Sequence, residues 1–435
     1  MINQVFKTKA SVIFLFLWVV CFHRLTIIPN FLVPNGDTVL LFFVLFLLLL
    51  YCISEKNVRI QSTLFTKLLN KVVFIVIISA IINCLICDYY RNQDYFETLR
   101  HWSPIFLLFF YYPFRNFYFS IKDWEKILFI LFLIVVAVDA IMVIFPESLL
   151  FEMTSGNEKF EDEHRVRIYG DGALVLGNLL CFNKAFTDKN KLKYWSLFII
   201  SALLIFLQGY RMVIATCLVV YFYCMMKLKV LKIQYGIIGI LLIYVLSLLP
   251  IVQERVDEII ERNETSTYNN DDYVRVLVFA YYYTDYFKSN YELFFGSGMV
   301  QRIVKKSSTE MGDDSEYKSK YSKDVSYMSY KYHFYPVDWG MIGLSWEAGI
   351  PVVLALLTLI IFIFIKKTPK YYCYISSWFL FLLLSCLSKA ILYIHHNLIF
   401  FAMGLVMFEK IVYIENKPIC SNKYFQQSNF DKVIN

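Results

Sequence analysis

Residues 127–145 read ILFILFLIVVAVDAIMVIF, and Asp139 is the one ionisable side chain among them. A run of about 20 apolar residues crosses a ~30 Å hydrocarbon core as a helix. Inside lipid only helices and closed barrels satisfy every backbone N–H and C=O. The run is solid rather than alternating, so it fits a helix and not a barrel strand. Working outward from it, similar runs lie near 11–29, 38–54, 71–87, 104–119, 172–186, 194–208, 210–226, 233–251, 340–365, 371–388 and 395–413. The chain is 58% hydrophobic with a mean hydropathy of +0.54, against about 45–50% apolar residues in a soluble domain. The expectation is an all-α polytopic membrane protein with about 12 transmembrane helices, residues 1–435 forming a single integral membrane domain. No small-residue cleavage site follows the first run, so it reads as a span rather than a signal peptide.

Lysine sets the orientation. With the N-terminus in the cytoplasm, the cytoplasmic segments hold 21 of the 30 lysines, as the positive-inside rule requires, and both termini fall inside. One long extracytoplasmic loop, 253–338, precedes the last three helices, and a second extracytoplasmic loop covers 146–171. Within the long loop, 273–294 reads as an amphipathic aromatic helix lying on the membrane or on the bundle, and the Lys/Ser/Asp/Tyr-rich stretch 304–331 is expected to be mobile. Net charge is +7, mostly cytoplasmic lysine, which suits anionic membrane lipids as neighbours. No basic stripe with interleaved aromatics is present, so nucleic acid is not expected as a partner. Cys84 and Cys87, a C-x-x-C pair at a span end, read as small packing residues ahead of a redox or metal role.

Arginine runs the other way. Ten of twelve (Arg24, Arg91, Arg100, Arg165, Arg167, Arg211, Arg255, Arg262, Arg275 and Arg302) fall at the outer face. Arginine grips phosphate and carboxylate with a planar, permanently charged fork, so their gathering points to an anionic ligand there, against the plainer reading that lysine is drawn inward and arginine left scattered. Arg211 sits in a turn between two apolar spans, either as a fixed cation at the membrane–water boundary placed for a lipid phosphate or as a turn residue that merely marks the surface. Arg165 and Arg167 either line that ligand or pair with Glu161, Asp162 and Glu163. Arg275 opens the aromatic helix, with Asp271 and Asp272 as rival partners. His333, Asp338 and Glu347 flank the return into the tenth span, where a carboxylate or imidazole can take a proton from a hydroxyl. Asp139, and Lys389 with His395 and His396, suit hydrogen bonding within the bundle or a proton relay.

Three segments then align in order with one family. EHRVRIYGDGALVLGNLL (163–180) resembles the arginine-containing loop and following span of O-antigen polymerases and ligases. LLIFLQGYRMVIATCLVV (203–220) resembles their span, arginine turn and next span, with Gly-Tyr-Arg where the family often has Ser-Arg. YVRVLVFAYYYTDYFKSNYELFFGSG (273–298), then VDWGMIGLSWEAGIPVVLALL (337–357), resembles the loop arginine, the Phe-Gly-x-Gly turn and the Asp-x-Gly return into the membrane. The chain thus resembles a Wzy-type polysaccharide repeat-unit polymerase over about 165–360.

The resemblance implies glycosyl transfer on the outer face of a bacterial cytoplasmic (inner) membrane. Both donor and acceptor would be undecaprenyl-pyrophosphate-linked glycans, with no cofactor and no metal. Arg211 and Arg275, then Arg165 and Arg167, would stabilise the departing pyrophosphate. Asp338, Glu347 or His333 would serve the acceptor hydroxyl. A protein that sets chain length is a further implied partner. Ligases of this superfamily carry a His-Asn-type motif before the return span, whereas His333 here is followed by Phe334 and Tyr335. An O-antigen ligase and a polysaccharide flippase or transporter are the rival expectations.

Overall fold

A computed structural model describes residues 62–91, 95–116, 119–145, 171–207, 211–230, 286–287, 289–298, 339–387 and 395–415. These residues are overwhelmingly helical and contain no strand. In chain order they form α1 (Leu64–Arg91), α2 (Tyr95–His101), α3 (Ser103–Phe106), a 3-10 turn (Leu107–Phe110), α4 (Tyr111–Asn116), α5 (Ile121–Ile144), α6 (Asp171–Thr187), α7 (Lys191–Leu207), α8 (Arg211–Leu228), α9 (Asn290–Phe295), α10 (Gly340–Ala348), α11 (Ile350–Ile365), α12 (Cys373–Ser385) and α13 (His395–Glu409).

The helix ends follow local chemistry. Ser120 caps α5 in a reciprocal box, accepting from the Asp123 N–H while its own N–H and hydroxyl donate to the Asp123 carboxylate. This satisfies backbone donors that a helix start leaves open. Pro351 sits in the first turn of α11, where a missing N–H costs nothing.

Two expected spans are built differently. The run near 104–119 is not one helix but the broken series α3, 3-10 turn and α4. Pro104 and Pro113 lie within it, and each removes a backbone donor. The run near 340–365 breaks at Gly349 into α10 and α11. The remaining described helices overlie the spans expected near 71–87, 127–145, 172–186, 194–208, 210–226, 371–388 and 395–413. Those near 11–29, 38–54 and 233–251 lie outside the described residues, as do most of 253–338 and nearly all of 146–171.

Side-chain pairings fix how the helices run. Thr63 and Thr66 at the start of α1, Tyr111 and Arg115 of α4, and Glu409 at the end of α13 meet in one cluster. Glu125 near the start of α5 meets Lys184 at the end of α6 and Tyr374 at the start of α12. The far ends of α1 and α12 meet α9 and α10 instead. Lys410 at the end of α13 also donates to the Phe119 carbonyl just before α5, so α1, α5 and α12 start, and α6 and α13 end, at one end of the bundle. That end carries Lys184, Lys370 and Lys410, lysines expected from sequence on the cytoplasmic side.

A continuous apolar core fills the middle, with Trp102, Trp124, Trp378, Tyr111 and Tyr374 wholly buried. The outward faces are apolar as well: Phe74 of α1 is 66% exposed, Leu218 of α8 58% and Leu354 of α11 57%. Among the described residues one helix, Leu64–Tyr90, is long and apolar enough to cross a membrane; Met212–Leu228 and Ile350–Ile365 are apolar but shorter.

Candidate functional site

The end opposite the lysine-rich cluster is closed by a seam between two segments far apart in sequence. Ser289 caps α9 by accepting from the Glu292 N–H at 3.2 Å, and the helix stops at Gly296. The chain then lies against the last turn of α10: the Ser297 N–H donates to the Trp346 carbonyl at 2.8 Å and the Gly298 N–H to the Glu347 carbonyl at 3.1 Å. Ser297 Oγ lies 3.0 Å from that Trp346 oxygen and 2.9 Å from the Tyr286 hydroxyl.

Two glycines make the approach possible. Gly296 has φ +86° and Gly349 φ +95°, both in the region that side chains resist. A Cβ on Gly296 would come 2.3 Å from the Glu347 carbonyl oxygen, and one on Gly349 would come 2.6 Å from the Phe295 carbonyl. The FFGSG turn and the WEAGI break, which sequence alone treats as separate motifs, are thus interlocked halves of one structure.

Asn83 of α1 bolts the seam to the bundle. Its amide nitrogen donates to the Phe295 carbonyl at 3.0 Å and to the Glu347 carbonyl at 3.1 Å. Its oxygen accepts from Trp102 Nε1 at 3.0 Å, which fixes which way the amide faces. Cys87, one turn on, points its thiol at the same oxygen from 3.8 Å. α10 is pinned at its other end, where the Met341 N–H donates to the Cys386 carbonyl at 2.8 Å. On the rim Tyr95 donates to Asp88 at 2.7 Å, and that hydrogen bond holds the phenol above its ordinary pKa.

At the centre of the seam stands Glu347, 3% exposed, with neither carboxylate oxygen hydrogen-bonded to any described residue. Such a group costs on the order of 1–3 kcal/mol or more unless something satisfies it. A buried carboxyl group with a pinned backbone and no hydrogen-bond partner among the described residues has the capacity to accept a proton or a hydroxyl hydrogen bond.

Of the residues singled out from sequence, Glu347 is the one the described structure places within a built site. Arg211 is the first residue of α8, where the sequence reading had put it in the preceding turn. Arg165, Arg167, Arg275, His333 and Asp338 lie outside the described residues, as does Lys389. His395 opens α13, and Asp139 is fully buried in α5. Cys84 and Cys87 are buried in α1. Sequence reasoning passed over Asn83, although a polar amide inside INCLIC was the available signal. It also passed over Trp102, Glu409 and Asn397, whose partners, or lack of them, are tertiary facts.

No protein-family model matches the chain, and no curated protein matches it in sequence.

Proposed function

We propose that this protein is a multi-pass enzyme of the bacterial cytoplasmic membrane that joins undecaprenyl-pyrophosphate-linked oligosaccharide repeat units on the outer face. The observation that carries the reading is the unpartnered, buried Glu347 at the FFGSG–WEAGI seam. It lies at the end of the bundle opposite the lysines, where the resemblance expects chemistry on lipid-linked sugars. Apolar outward faces with buried hydrogen-bonded polar groups favour a lipid surround over water.

In this reading Glu347 takes the proton of the acceptor hydroxyl as that oxygen attacks the anomeric carbon of the donor. The bond from that carbon to undecaprenyl pyrophosphate breaks, and the pyrophosphate leaves with the electron pair. Arg211 and Arg275, with Arg165 and Arg167, neutralise the charge that develops on it. Asp338 and His333 remain the alternative proton acceptors.

The test is deletion of the gene in its host, with surface and lipid-linked glycans resolved by gel and mass spectrometry. Loss of the polymer ladder, with single repeat units still reaching the surface, is the expected result. Long polymer stranded on undecaprenyl pyrophosphate would make the protein a ligase instead. Single repeats held on the cytoplasmic face would make it a flippase and end the proposal.

A further inference from the structure

Cys224 and Cys373 lie 149 residues apart in sequence, and their sulfurs stand 2.9 Å from each other. Both are buried free thiols. Cys224 sits in the last turns of α8, which ends at Leu228, and Cys373 is the first residue of α12. A third helix fixes their meeting from the side. Asn183 of α6 donates through Nδ2 to Cys373 Sγ at 2.8 Å and to the Lys370 carbonyl at 3.1 Å. That carboxamide holds the start of α12 and one sulfur of the pair together. The pair belongs to the lysine-rich end: Lys184, next to Asn183, bonds Glu125 there. Tyr371, two residues before Cys373, is 67% exposed.

A disulfide needs its sulfurs about 2.05 Å apart, so these two have less than about 1 Å left to close. Thiols buried in mid-helix are inert. Cys224 and Cys373 stand instead near helix ends, the parts of a fold that open locally at least cost. On the cytoplasmic side, where the sequence places these lysines, thiols are kept reduced, and a disulfide forms there as a transient redox response rather than as a permanent staple. We propose that Cys224 and Cys373 are a reversible oxidation site, at which a peroxide forms a disulfide that ties α8 to α12 and cellular thiols reopen it. One thiol takes an oxygen from hydrogen peroxide, giving a sulfenic acid and one water. The other thiol then attacks that sulfur, and a second water leaves as the S–S bond forms. Two thiols are oxidised and one peroxide is reduced to two waters. Exchange with two external thiols restores the pair and leaves their own disulfide behind. The site lies at the opposite end of α8 from Arg211 and stands independently of the polymerase reading.

The experiment uses the full-length protein in detergent, treated with hydrogen peroxide, then unfolded, alkylated and digested without reductant. Mass spectrometry is expected to find the Cys224 and Cys373 peptides joined, and dithiothreitol to release both as free thiols. Closing so long a loop restrains the unfolded chain, so the oxidised protein should melt at a higher temperature than the reduced one. Cys224→Ser and Cys373→Ser should each melt at one temperature with or without peroxide. Recovery of both peptides as free thiols after peroxide overturns the proposal. So does either cysteine joined to a different partner, or carried to sulfinic acid with no link formed. A peroxide-induced rise in melting temperature that persists in Cys224→Ser overturns the tie between α8 and α12. The peptide mapping needs no variant, so a serine variant that fails to fold leaves the decision with the wild-type link.

Discussion

Glu409 and Glu347 are both buried glutamates, and the molecule treats them in opposite ways. At the lysine-rich end, Glu409 accepts from Thr63 and Thr66 at 2.7 Å each, from Tyr111, and from Arg115 through Nε at 2.8 Å and Nη2 at 3.1 Å. Four residues from the start of α1 and from α4 converge on one carboxylate at the end of α13. At the other end Glu347 has a fixed backbone and an idle side chain. A carboxylate surrounded by donors is a rivet; one left without them, in a place where desolvation is costly, is held ready for something outside the fold. Glu125, bonded by Lys184 at 2.7 Å and Tyr374 at 3.0 Å, belongs with Glu409.

Substitutions at the two glutamates should therefore have opposite signatures, and the largest effect belongs to Glu347. Glu347→Gln is expected to lower polymerisation by about 10²–10⁴-fold, the usual worth of a positioned acid or base, with the melting temperature in detergent unchanged or raised. A ladder assay beside a thermal melt reads both. Next comes Arg115→Ala, which strands a buried charge; a loss of about 3–5 kcal/mol is typical, and size-exclusion profiles should show little folded protein. If that variant instead folds normally and merely loses activity, the division between rivet and site is wrong.

The seam itself should respond less steeply. Gly296→Ala and Gly349→Ala each force a side chain into a positive φ and against the opposing backbone, at about 1–3 kcal/mol for the strain alone. Both should lower the melting temperature and disturb activity together. Asn83→Ala removes the Trp102 N–H's acceptor, the Phe295 carbonyl's donor and one of two donors to the Glu347 carbonyl, at about 1–3 kcal/mol. The smallest effect is expected of Thr63→Val at the opposite end, about 1 kcal/mol, because Glu409 keeps three other donors.

Much of this architecture was legible in the chain. Solid apolar runs such as ILFILFLIVVAVDAIMVIF specify helices, and the described residues over that run form α5. The breaks were less legible. A hydropathy run does not register that Pro104 and Pro113 interrupt a helix, or that Gly349 ends one, since all three sit among apolar neighbours. Glu347 was readable as a carboxylate near a membrane boundary. That it is dry and unpaired was not, because its surroundings come from α1 and α9, 264 residues and some 50 residues away. Asn397 and Glu409 were invisible for the same reason: in sequence each is a polar residue at a helix end, and only packing makes one idle and the other saturated.

The most direct test of the central claim returns Glu347→Gln, alongside wild type, to the deletion host at matched membrane levels and resolves the glycan ladder. The account predicts that wild type restores long chains while Glu347→Gln leaves single repeat units at the surface. A full ladder from Glu347→Gln would contradict it.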